Sequence, residues 1–184
     1  GETQKEFAGF PAGREINVLP EDAELLMKNI PEMEAASGEM QTWSAQLSNG
    51  RQVLNKRMVG VHPQWGAMRN QVPEPGGRFL NQLDQELKRR VAFLGNAIKE
   101  DLFGDEPAVG RTFTINGVPF TVIGVMQDKI QMGTYGGPDE NNTVIPISTF
   151  EALLGRRFVS VMVFKPRTPE LMEHVTKRFY EVLG

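Results

Sequence analysis

Two Asn-Gly dipeptides, Asn49-Gly50 and Asn116-Gly117, each stand between strand-forming segments, and they constrain the fold more than any other feature of the chain. Both central residues of a type I′ turn need positive φ, which Asn and Gly tolerate best, so the pattern predicts two antiparallel hairpins. The first runs from Met40 to about Val61 and the second from Arg111 to Met126. Thr112 to Ile115 on one arm of the second hairpin, and Phe120 to Ile123 on the other, are β-branched or aromatic, as a half-buried strand favours.

Helical signals flank the hairpins. Leu19-Pro20-Glu21-Asp22 opens a helix with proline and acids in its first turn, and Ala23, Leu26, Met27 and Ile30 fall on one face before Pro31 ends it. Glu15 to Val18 reads as a short strand ahead of it. Leu80, Leu83 and Leu87 predict one side of a short helix, and Val91 to Leu94 a buried strand. Asn96 then caps a helix that buries Ile98 and Leu102 and stops at Gly104. His62 to Gly77 and Gly133 to Asn142 are rich in Pro or Gly and predict loops. A strand over Thr143 to Ile147 follows. The capping box Ser148-Thr149-Phe150-Glu151 starts a helix that ends at Gly155. A strand over Phe158 to Lys165 comes next, and then a helix from Thr168-Pro169-Glu170 carrying Met172, Val175, Phe179 and Val182 on one side. Strands alternate with helices at both ends, while hairpins dominate the centre. This order predicts an α+β chain of two lobes: an open sheet with helices built from residues 1–60 and 141–184, and a β-rich insertion over 61–140.

The 184 residues carry a net charge of −3, so no broad field draws nucleic acid or anionic lipid. Cysteine is absent, which excludes thiol chemistry, disulfides and thiolate zinc sites. No apolar run approaches the roughly 20 residues that span a bilayer. The chain opens on Gly1 with no initiator Met or signal-peptide core, and reads as a piece of a longer protein. His62 and His174, the two histidines, sit in different elements with no carboxylate at ligand spacing. No Ser lies in a G-x-S-x-G turn. Acid pairs such as Glu21/Asp22 and Glu100/Asp101 fall at helix ends, where solvated charge explains them. The expectation is therefore a protein that is not an enzyme and needs no metal or cofactor. Trp43, Trp65 and Tyr135, in a chain with nine methionines, are the candidate residues of a partner- or ligand-binding surface.

Taken in order, several motifs resemble the periplasmic core domain of MacB-type ABC transporter permeases. They begin with Leu19-Pro20-Glu21-Asp22-Ala23, Met58-Val59-Gly60-Val61 and the Gly-Arg-aromatic step of Pro75-Gly76-Gly77-Arg78-Phe79. Val91 to Gly95, Leu102 to Gly104, Pro107 to Gly110, Phe120 to Val125 and Val144 to Thr149 continue the correspondence. The resemblance implies that the lobe built from both chain ends is ferredoxin-like. It implies a place on the outer side of the cytoplasmic membrane, in a permease that works with a second copy or paralogue and a cytoplasmic ABC ATPase. A periplasmic adaptor or lipoprotein is a further implied partner, and nucleic acid is not. The implied role is to relay ATP-driven motion and dock proteins in efflux or in lipoprotein and peptide handling. The alternative is an extracytoplasmic sensor that holds a peptide or lipid in a Met/aromatic groove.

Overall fold

The computed structural model describes residues 18–128, 138–155 and 161–184. Helix α1 (Asp22–Asn29) has the expected acids in its first turn, Asp22 and Glu24, but Pro20 precedes it, with Glu21 as the cap; Asp22 Oδ2 accepts the Leu19 N–H at 2.7 Å, and Lys28 lies in the last turn. Both hairpins are present. Strand β1 (Met33–Asn49) turns into β2 (Gln52–Val61) with Asn49 opposite Gln52, so the loop is Gly50-Arg51 and not Asn49-Gly50. Positive φ occurs there at Gly50 alone (+60°), which departs from the type I′ expectation. Strands β4 (Thr112–Ile115) and β5 (Val118–Val125) meet at Asn116-Gly117, where both residues have positive φ (49° and 80°), as expected of type I′.

Among the described residues the remaining strands are β3 (Val91–Leu94), β6 (Asn142–Pro146) and β7 (Val161–Pro166). All seven join one sheet in the order β2-β6-β3-β5-β4-β1-β7, with β2 also paired to β1. Six of them therefore close into a ring, and β7 hangs on the N-terminal half of β1. Glu39 is where the neighbours of β1 change over, pairing with Val161 of β7 on one edge and Val61 of β2 on the other. The fold is α+β as predicted. Strands β3, β4 and β5 of the central segment sit within this same ladder, between β6 and β1.

Alternation along the strands sends side chains into two cores. Met58, Ala92, Leu94, Val122 and Ile145 face the larger one with Ile98 and Leu102 of helix α4 (Asn96–Phe103) and Ile147 and Phe150 of helix α5 (Ile147–Leu154). Helix α6 (Met172–Leu183) adds Val175 and Phe179 to the same core. Val59, Phe93, Ile123 and Val144 face the smaller core, covered by Trp65, Phe79 and Leu80 from the segment between β2 and β3. That segment holds two short helices, α2 (Trp65–Met68) and α3 (Gln82–Glu86).

Several local expectations change. Leu83 and Leu87 are exposed, and only Leu80 is buried. The capping box belongs to α3: Asn81 Oδ1 accepts the Asp84 N–H and Asp84 Oδ2 accepts the Asn81 N–H, both at 2.9 Å. Ser148 caps nothing, because its hydroxyl donates to the Gln85 carbonyl at 2.6 Å and α5 begins one residue earlier. Asn96 is the first residue of α4, with Gly95 as its cap, and its amide donates to the Met126 carbonyl. The strand expected over residues 158–165 is described from Val161 on, and residues 15–17 of the expected first strand lie outside the described residues.

The Pro73 to Gly77 stretch is pinned, not loose. Glu74 N–H donates to Val125 O at 2.8 Å and Arg78 N–H to Ile123 O at 2.9 Å. A Cβ on Gly124 would stand 2.3 Å from the Arg78 carbonyl oxygen, and one on Gly77 would stand 2.8 Å from Gly124 Cα. The Gly-Arg-aromatic step exists because two backbones touch there.

Candidate functional site

Trp43 lies in a bulge of β1. Thr42 pairs with Met58 and Ala45 with Lys56, so Trp43 and Ser44 together oppose the single residue Arg57. A bulge re-aims a side chain, and here it turns the indole outward: Trp43 is 72% exposed, with the Arg57 guanidinium carbon 5.2 Å from its ring centroid. Arg57 is itself held, donating from Nη2 to Glu39 Oε1 at 3.0 Å and to Gln41 Oε1 at 2.9 Å. Glu39 is buried. Its other oxygen accepts the Trp65 indole N–H at 3.1 Å and faces Arg69 Nη2 at 3.7 Å. Trp65 is 2% exposed and stacks on Phe79 in the smaller core, which corrects its place as a surface candidate. Tyr135 lies outside the described residues.

The second feature is a cleft of about 460 Å³ between α1, α5 and the end of β2. Glu21, Glu24, Met27, His62, Ile147 and Glu151 are among its lining residues. His62 Nδ1 accepts the Gly38 N–H at 3.0 Å, and the His62 backbone N–H donates to Ser37 Oγ at 3.2 Å. Burial lowers the His62 pKa to about 4, against the opposite pull of Glu21 and Glu24. The imidazole is neutral at pH 7 and is part of how β1 and β2 are held together. Eight of its twelve lining residues are polar and none is Phe, Trp or Tyr, unlike the Met/aromatic groove that the sensor alternative requires. Met33, Met40, Met58, Met126 and Met162 are core residues.

The buried Asp84 is a structural group. Burial would raise its pKa, yet the Arg78 hydrogen bonds (2.7 and 3.1 Å), the Asn81 N–H and the Arg89 contact hold it below the usual carboxylate range. His174 is on the surface with Glu32 Oε1 3.3 Å from its Nε2. Among the described residues no group of three His, Cys, Asp or Glu is placed to hold a metal, and no helix is long and apolar enough to cross a membrane. Sequence reasoning singled out Trp43 but missed Glu39, Arg57 and Arg69, whose meeting depends on strand register and on where α2 ends. One signal was readable: no acid occurs between Met40 and Met58.

Residues 3–181 match the model of the MacB-like periplasmic core domain. The chain is 31% identical over 155 residues to the macrolide export ATP-binding/permease protein MacB of Rhodospirillum rubrum, covering 82% of this chain and 23% of that protein. It is 28% identical over 131 residues to the pyoverdine export ATP-binding/permease protein PvdT of Pseudomonas aeruginosa, covering 67% of this chain and 18% of that one. The chain thus spans about a fifth of the length of such relatives. Among solved structures, the periplasmic region of MacB from Actinobacillus actinomycetemcomitans superposes with a TM-score of 0.79 at 22% identity, covering 96% of this chain and 80% of that one. The extracellular domain of the transporter YknZ from Gram-positive bacteria gives 0.78 at 16% identity, over 91% and 82%. At these identities the likeness is one of fold.

Proposed function

The chain belongs to the MacB-like periplasmic core domain family, and from that membership we propose that it is the extracytoplasmic part of an ABC transporter permease, relaying ATP-driven motion and docking partner proteins. In this reading it works beside a second permease copy and a cytoplasmic ATPase, and makes or breaks no bonds itself. The observation that carries the relay is the closed ladder of β1, β2, β6, β3, β5 and β4, with β7 fastened to β1. A relay needs a stiff body, and a ring of paired strands leaves few soft joints. The buried acids Glu39 and Asp84 support the non-catalytic role, since each is engaged by arginines within the fold.

We divide the body by role into a ferredoxin-like part (β1, β2, β6, β7 with α1, α5 and α6) and a central part (β3, β4, β5 with α4). Spin labels in the full-length transporter test the relay. Labels at exposed Leu87 on two permease copies should change separation between ATP-bound and nucleotide-free states, while a pair at exposed Asp101 in α4 and Lys177 in α6 within one copy stays fixed. An unchanged separation between copies would refute the relay. A changed distance within one copy would mean that the two parts move against each other.

A further inference from the structure

We propose that the outward face of the β1–β2 hairpin, centred on Trp43, is a preorganised anchor for a partner protein that offers an apolar pocket rimmed by carboxylates. This rests on the reading that the domain docks proteins. The register places Gln46 opposite Asn55 and Ser48 opposite Val53, and these four share a face with Arg57 and Trp43. The reverse face, with Ala45 and Leu47, is buried in the larger core. Trp43 and Val53 are exposed at 72% and 53% and stand at the two ends of this face, with the Gln46–Asn55 pair between them.

Charge selects the occupant. Residues 40–58 contain Arg51, Lys56 and Arg57 and no acid, which leaves 17 basic against 23 acidic residues in the rest of the chain; Lys56 stands opposite Ala45 on the reverse face, so the outward face carries Arg57 and, at its tip, Arg51. The same stretch has eight amide or hydroxyl side chains. Trp and Arg in an acid-free, amide-rich surface are what protein interfaces concentrate at their energetic centres. Two cations spaced among amides are too sparse for a phosphate-rich surface, where many contacts are needed. Arg57 is fixed by Glu39 and Gln41 and lies over the indole, so little side-chain freedom remains to be lost on binding.

The test is photo-crosslinking in cells with the full-length transporter. A benzophenone amino acid replaces Trp43, with control positions at Leu87 and Lys177. The expected result is a protein adduct from position 43, mapped to a segment holding Asp or Glu beside apolar residues. The charge change Arg51→Glu with Asn55→Glu should lower its yield at least about fivefold while circular dichroism stays the same. No adduct from position 43, a lipid or glycan adduct, or a yield unmoved by the charge change would overturn the anchor. Adducts from position 87 or 177 alone would sink the anchor and leave docking standing, and none from any position would sink both.

Discussion

Single residues here act mainly by closing gaps between backbones and settling buried charge. His62 shows how pH enters. Its ordinary value of 6.5 applies to the unfolded chain and about 4 to the folded one, so between these the unfolded state binds more protons. Stability from this group is complete above pH 6.5 and falls as the pH drops toward 4, by up to about 3 kcal/mol. Urea midpoints should therefore fall between pH 7 and pH 4.5, and His62→Gln should flatten most of that slope. An unchanged slope would mean that other groups set it. Gly124 is the steric counterpart. Its missing Cβ makes room for a backbone carbonyl that cannot rotate away, so Gly124→Ala should cost about 3 kcal/mol, read as a lower midpoint in urea. A variant within 0.5 kcal/mol of the parent, roughly the scatter of an ordinary surface change, would show that the contact relaxes.

At the scale of elements, what local chemistry dictates was legible and what register dictates was not. Asn116-Gly117 carries its turn in its own φ preferences, and Gly104 and Gly155 end their helices with positive φ (61° and 66°). The first hairpin was legible as a hairpin, but its loop slid by one residue because the pairing of long strands, and not the dipeptide, sets where the chain turns. Ser148 has the spacing of a cap, yet α3 comes close enough to take its hydroxyl, a tertiary contact invisible in spacing. Leu83 and Leu87 repeat at helical intervals, but α3 is only five residues long and ends before Leu87, and both leucines are exposed. Trp43 was legible as a candidate by type. Its bulge and its arginine were not, since two residues facing one across a ladder leave no mark in composition.

For the whole molecule, sequence order suggested an insertion carried by an open sheet, and the strand order sets the central strands side by side, β3-β5-β4, between β6 and β1 of the terminal segments. A body paired this way should lose its structure in one step. Far-ultraviolet circular dichroism, which follows the whole ladder, and fluorescence dominated by the buried Trp65 in a Trp43→Phe variant should trace the same urea curve. Two separated transitions would show that the central part melts alone. The hanging position of β7 has its own result. Helix α6 follows this strand, so tension on the end of the chain reaches the ring through the backbone bonds that β7 makes to residues 33–39 of β1. Pulled along its length, that seam loads all its bonds together; pulled sideways, it opens one bond at a time. The domain is thereby stiff toward one direction of tug and compliant toward another, and the angle at which α6 leaves the sheet decides which a neighbour feels.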